Sequence, residues 1–211
     1  MDPVAILVHG LWANRWLMAP LARRLRTCGF TPLRFGYRGV HASPEENAAC
    51  LGAFIRDAAG SATVHLVGHS LGGVVILHLL QDRPELATGR VVLLGTPLAG
   101  SRSAARFDRH SWGRWALGRS VKAGLLPGAP ASAGVRETGM IAGTLGVGLG
   151  LLLGRFDEPG DGVVAVRETR SDALADHLCL PVNHTGLLFS RAVARQTCVF
   201  LRCGRFGHGE Q

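Results

Sequence analysis

The sequence contains no block of like charge, no Gly-X-Y period and no CxxC pair, and each absence removes a class of protein. Low-charge, apolar composition (47% hydrophobic, 18% charged) excludes a disordered chain. The 29 glycines follow no triplet repeat, which excludes a collagen-like rod. No apolar stretch reaches the roughly 18 residues of a membrane-spanning helix. The longest charge-free run, Gly139 to Gly154, is interrupted by six glycines and a threonine and predicts a core strand followed by a Gly-rich turn. Its Gly146, Gly150 and Gly154 at GxxxG spacing are a weak signal. Five cysteines at irregular spacing (Cys28, Cys50, Cys179, Cys198 and Cys203) argue against a zinc ribbon or a disulfide framework and predict reduced thiols. An apolar segment begins at Val4 with no basic n-region before it, which predicts no signal peptide and a cytoplasmic location.

What is present is a single-domain length of 211 residues with a net charge of +8, nearly all of it carried by arginine. Such a surface favours anionic partners in general. There is no helix-turn-helix, RNP-type aromatic motif or C₂H₂ spacing, so specific nucleic-acid recognition is not expected.

Short apolar runs alternate with amphipathic stretches, the pattern of a parallel sheet wrapped by helices. Strands are predicted at Val4–Val8, Thr31–Phe35, Thr63–Val67, Val91–Leu94, Met140–Gly143 and His177–Val182, with a short extended piece at Val163–Val166. The first helix is expected from Arg15 to Cys28, with Trp16, Leu17, Ala22 and Leu25 on its apolar side and Gly29 just past its end. Ser43-Pro44-Glu45-Glu46 has the form of a capping box and opens a second helix running to Ala59. A third helix contains Val74–Leu80, and a closing helix spans Thr185 to Cys203 and stops at Gly204.

The strongest chemical signal is Gly68-His69-Ser70-Leu71-Gly72, followed by Gly73, between a strand and a helix. A G-x-S-x-G element in that setting places serine on a tight turn, where bulky neighbours two residues away would strike adjacent backbone. The turn lifts the hydroxyl clear of the sheet, and the helix N-terminus offers N–H groups to a developing oxyanion. A second element, Val8-His9-Gly10-Leu11-Trp12, follows the first strand directly.

A strand ending in His-Gly-x together with Gly-His-Ser-x-Gly-Gly resembles the α/β-hydrolase superfamily, in particular its small bacterial lipase and esterase branch. The resemblance covers roughly residues 4–98 and 139–203. It implies a minimal α/β-hydrolase fold, with a mostly parallel central sheet of about six strands flanked by helices. It also implies that the backbone amides of Leu11 and Leu71 form an oxyanion hole, with His9 a structural residue. Gly160-Asp161-Gly162-Val163-Val164 resembles the family's acid loop and nominates Asp161 over Asp157, Glu158, Asp172 and Asp176. His184, in Asn183-His184-Thr185-Gly186, stands at the family's histidine position, and the chain order Ser70, Asp161, His184 is the order of the fold. Thr96-Pro97-Leu98-Ala99-Gly100-Ser101 resembles a family turn at the pocket edge.

The implied activity is hydrolysis of carboxylic esters through a Ser-His-Asp triad and an acyl-enzyme, with no cofactor and no metal. The substrate would be a small-molecule or lipid ester. An acyltransferase with the same triad and a non-catalytic lipid-binding member of the fold are the alternatives. One domain, 1–211, is expected, with a lid-like insertion at about 99–138 where the alternation stops. That insertion sets Arg102, Arg106, Arg109, Arg114, Arg119 and Lys122 against Asp108, with Phe107, Trp112 and Trp115 among them. It reads equally as a basic amphipathic helix in peripheral contact with an anionic membrane or as a solvated loop.

Overall fold

A computed structural model describes residues 2–60, 62–86, 88–100, 129–130, 135–146 and 158–209. The insertion expected at 99–138 lies almost wholly outside the described residues, as do Asp157 and the run 147–154.

Six parallel strands form one sheet: β1 (Val4–Val8), β2 (Thr31–Phe35), β3 (Val64–His69), β4 (Val91–Leu94), β5 (Thr138–Gly143) and β6 (Asp176–Leu180). Their order is β2-β1-β3-β4-β5-β6, so the chain leaves β1 to one side and returns on the other. The register sets Val8 beside Gly68 and Phe35, and Gly68 beside Leu93. Near-continuous Val, Ile and Leu in β1, β3 and β4 suit strands covered on both faces.

Alternate side chains divide the core in two. Ile6, Val8, Leu66 and Leu93 pack with α2 (Pro44–Ala59) and α3 (Leu71–Asp82) through Leu51, Ile55, Val75 and Leu79. Leu7, Val67, Val92, Leu94 and Ile141 pack with α1 (Ala19–Thr27), α4 (Gly186–Phe189) and α5 (Arg191–Cys203). Ser43 and Glu46 complete the predicted capping box, with Glu46 N–H donating to Ser43 Oγ and Ser43 N–H to Glu46 Oε2. No described helix is long and apolar enough to cross a membrane.

Four expectations are corrected. Helix α1 starts at Ala19, because Asn14 accepts from the Trp16 N–H at 2.9 Å and holds the preceding residues in turns. Trp16 is therefore exposed, not apolar-face, and its ring lies under the Arg34 guanidinium at 4.5 Å. Val163–Val166 turns back on itself rather than extending, through a bridge between Gly160 and Ala165. The closing helix breaks at Ser190, whose extended backbone ends α4 and whose Oγ caps α5 by accepting from Val193 N–H. Finally, Cys28 and Cys198 form a disulfide, with Cα atoms 6.3 Å apart, so they are not reduced thiols. They stand 170 residues apart, and no local spacing announces them. Cys50, Cys179 and Cys203 are free and exposed. Disulfides persist in oxidising compartments and are rare in a reducing cytoplasm.

Candidate active site

The carboxyl ends of the strands carry the site, at the crevice where strand order reverses between β1 and β3. Ser70 directly follows β3 with φ at +53°, a left-handed value that a side chain adopts only when its surroundings impose it. Its N–H donates to Leu94 O at 2.9 Å, and its carbonyl accepts from Gly73 N–H at 3.0 Å and Thr96 Oγ1 at 3.1 Å. Helix α3 can start there only because Gly72 and Gly73 lack Cβ atoms. One on Gly72 would press into Val8 O, and one on Gly73 into the Thr96 hydroxyl. The Thr96 segment, expected as a structural turn at the pocket edge, braces the serine turn through its hydroxyl.

Leu11 and Leu71 follow β1 and the serine turn. Among the described residues, neither backbone N–H donates a hydrogen bond. His9 faces the other way. Its Nδ1 donates to Gly10 O at 2.9 Å, its ring stacks on Tyr37 at 4.3 Å, and Tyr37 OH donates to His9 O at 2.6 Å. Burial lowers the His9 pKa, which suits a neutral, structural imidazole.

Asp161 is 1% exposed and lies in a loop folded round its own carboxylate. Oδ1 accepts from Val163 N–H at 2.9 Å and Val164 N–H at 2.8 Å, while Gly162 takes the positive φ of +93° that the turn requires. Oδ2 accepts from His184 Nδ1 at 2.6 Å, and His184 N–H donates to Asp161 O at 2.9 Å. Burial alone would raise the Asp161 pKa. The adjacent His184, its hydrogen bond and the two amides outweigh burial and hold it below the ordinary value, so the group stays a carboxylate. That fixes the His184 proton on Nδ1 and leaves Nε2 as the free acceptor.

Of the competing carboxylates, Glu158 and Asp176 are engaged elsewhere. Glu158 pairs with Arg167 at 2.7 Å. Asp176 accepts from Phe206 N–H at 2.7 Å and from His208 Nε2 at 2.9 Å, which ties down the C-terminal tail.

Two supports escaped sequence reading. Gly95, at φ +56°, lies so close to the Asp161–His184 pair that a Cβ there would stand 2.9 Å from Asp161 Oδ2 and 3.3 Å from His184 Nδ1. His69, beside Ser70 in sequence, is buried and donates from Nε2 to His184 O at 3.0 Å. Burial first, then the neighbouring His184, pushes the His69 pKa down to about 3, so it remains neutral and keeps that donor. A lone histidine inside the motif carries no signal for such a role. Among the described residues no group of three or more His, Cys, Asp or Glu is placed to hold a metal ion.

The sequence matches the alpha/beta hydrolase fold family over residues 3–130, more than half of the chain, and the protein belongs to that family. It is similar in structure to the lipase BlEst2 of Bacillus licheniformis in its mature form, with a TM-score of 0.78 at 20% identity over 96% of this chain and 92% of that one. The metagenomic carboxyl esterase MGS0156 gives 0.72 at 18% identity over 96% and 75% of the two chains. A thermophilic esterase from Thermogutta terrifontis gives 0.67 at 14% over 97% and 91%. At these identities the likeness concerns the fold. No curated protein sequence matches the chain significantly.

Proposed function

We propose that the protein is a serine hydrolase that cleaves carboxylic esters of apolar acyl groups. The observation that carries this reading is the buried Asp161 carboxylate, 2.6 Å from His184 Nδ1, at the same sheet edge as a serine held at φ +53°. His184 Nε2 takes the Ser70 Oγ proton as Oγ bonds the ester carbonyl carbon. The carbonyl electron pair moves onto oxygen, and the Leu11 and Leu71 N–H groups receive that oxyanion. Collapse expels the alcohol, which takes its proton from His184. Water then enters by the same route, with His184 as base, and releases the acid and Ser70. Asp161 stays ionised throughout and stabilises the imidazolium.

Apolar acyl groups are favoured by the surroundings. Trp12 and Trp16, in the loop after β1, and Leu145, after β5, are exposed at the edge that carries Ser70. The experiment is a panel of p-nitrophenyl esters from short to long chain, run on wild type and Ser70→Ala. The variant is expected to lose about 10⁴–10⁶ in turnover with its fold intact. Near-wild-type turnover by the purified variant overturns the reading.

A further inference from the structure

The opposite edge of the sheet, at the amino ends of the strands, carries a cleft of about 740 Å³ that the catalytic reading does not use. Its walls come from the segments entering β1 to β5 and from the end of α5, and they include Phe30, His65, Arg90, Arg136, Glu137 and Arg202. Three guanidiniums thus face one carboxylate, and Glu137 is already spent on Arg90, Oε2 to Nε at 2.5 Å.

The local carbonyls are also spoken for. Helices α1 and α5 both end at this edge, with the negative ends of their dipoles. Arg90 Nη1 donates to Leu201 O at 3.1 Å and Arg202 O at 2.9 Å, and Arg202 donates to Cys28 O. What remains unspent is a set of donors. His65, only 6% exposed, accepts from Arg90 N–H at Nδ1 (2.9 Å), which places its proton on Nε2. That Nε2–H has no partner among the described residues. Arg136 donates from Nη2 to Pro84 O at 2.8 Å, yet its Nε–H is buried with no partner among the described residues. Of the two, the Arg136 donor is buried without an acceptor, and an incoming acceptor oxygen would satisfy it.

We propose that this cleft is a binding site for a phosphate-type dianion, separate from the Ser70 edge and independent of the hydrolase reading. Two unspent donors and a surplus of two positive charges call for a ligand with several acceptor oxygens and about two negative charges. Arginine N–H groups match phosphate oxygens in geometry as well as charge. The phosphate could come free in solution or as a lipid headgroup.

The test titrates inorganic phosphate into the intact, oxidised protein by calorimetry, with chloride at matched ionic strength as the control. Saturable binding is expected with phosphate and not with chloride, weakened at least about tenfold in Arg136→Gln. Hydrolysis of a short soluble ester should be unchanged in that variant. In wild-type protein, phosphate should also move the ¹⁵N signals of the His65 ring, a readout that needs no substitution. A parallel arm uses phosphatidylcholine vesicles with and without phosphatidic acid. A response to inorganic phosphate alone assigns a free ligand, and a response to both assigns a headgroup. Absence of phosphate-specific saturation, equal binding by Arg136→Gln, or an unmoved His65 ring each overturns the proposal.

Discussion

The two edges of the sheet are held by different means. At the carboxyl edge the backbone itself is pressed together: Gly72, Gly73 and Gly95 have no room for a methyl group, and Ser70 is bent into a left-handed turn. At the amino edge, long cationic side chains bridge the gaps, with Arg90 reaching two carbonyls and Glu137. The Cys28–Cys198 disulfide closes α1 onto α5 there as well. Close approach fixes atoms to fractions of an ångström, which chemistry at a carbonyl requires. Charged side chains and a cross-link tolerate adjustment and act chiefly on stability. Substitutions at the first edge should therefore be read in turnover, and those at the second in melting temperature.

The largest expected effect distinguishes two carboxylates. Asp161→Asn should lower kcat by about 10²–10⁴, because the imidazole loses its tautomer control and counter-charge. Asp176→Asn, which frees only the C-terminal tail, should leave kcat near wild type while lowering Tm. Steady-state kinetics with calorimetry reads both, and the reverse ranking would move the catalytic acid elsewhere. Next comes Gly95→Ala. Its methyl group would displace the Asp161–His184 pair, and a shift approaching 1 Å should cost on the order of 10² in kcat. Thermal unfolding alongside the kinetics tells displacement from collapse.

Removing the cross-link tests the other edge. Replacing Cys28 and Cys198 together by alanine should cost about 2–4 kcal/mol of stability, with kcat retained in the folded enzyme. Denaturant unfolding measures it, and a large loss of kcat at unchanged stability would break the division between the edges.

The smallest effect is a slope with pH, and each edge contributes one buried histidine. Burial lowers His65 to a pKa of about 4, with Arg90 adding to the effect, and His69 falls to about 3. Below the ordinary value of 6.5 the unfolded chain binds protons that the folded chain refuses, so stability falls as pH falls from there toward 4. The limiting slope is about 1.4 kcal/mol per pH unit for each histidine. Denaturant midpoints between pH 7 and 4.5 record it, and His65→Asn should flatten the curve by one histidine's share.

How much of this was legible in the sequence follows the range of the interaction. The bounds of β1, β2 and β4 and the Ser43–Glu46 box are written in neighbouring residues and are observed as read. So is the serine motif, whose strand-turn-helix context lies within a dozen residues. The late start of α1 depends on Asn14 outcompeting the helix for one N–H, a contest that apolar periodicity does not register. Ser190 reads as ordinary helix until its role as a cap is seen. The Thr96 brace, the Gly95 contact and the disulfide join residues that only the folded sheet brings together. Their sequence signals are a single hydroxyl, a single glycine and two cysteines among five.

The disulfide also changes the covalent topology of the chain. Cys28 and Cys198 close a ring that contains every strand from β2 to β6, together with Ser70, Asp161 and His184. Hydrolysis of any one peptide bond inside that ring leaves one molecule, not two. The sequence from 99 to 137 lies wholly within it, so a nick there would not release the serine from the histidine.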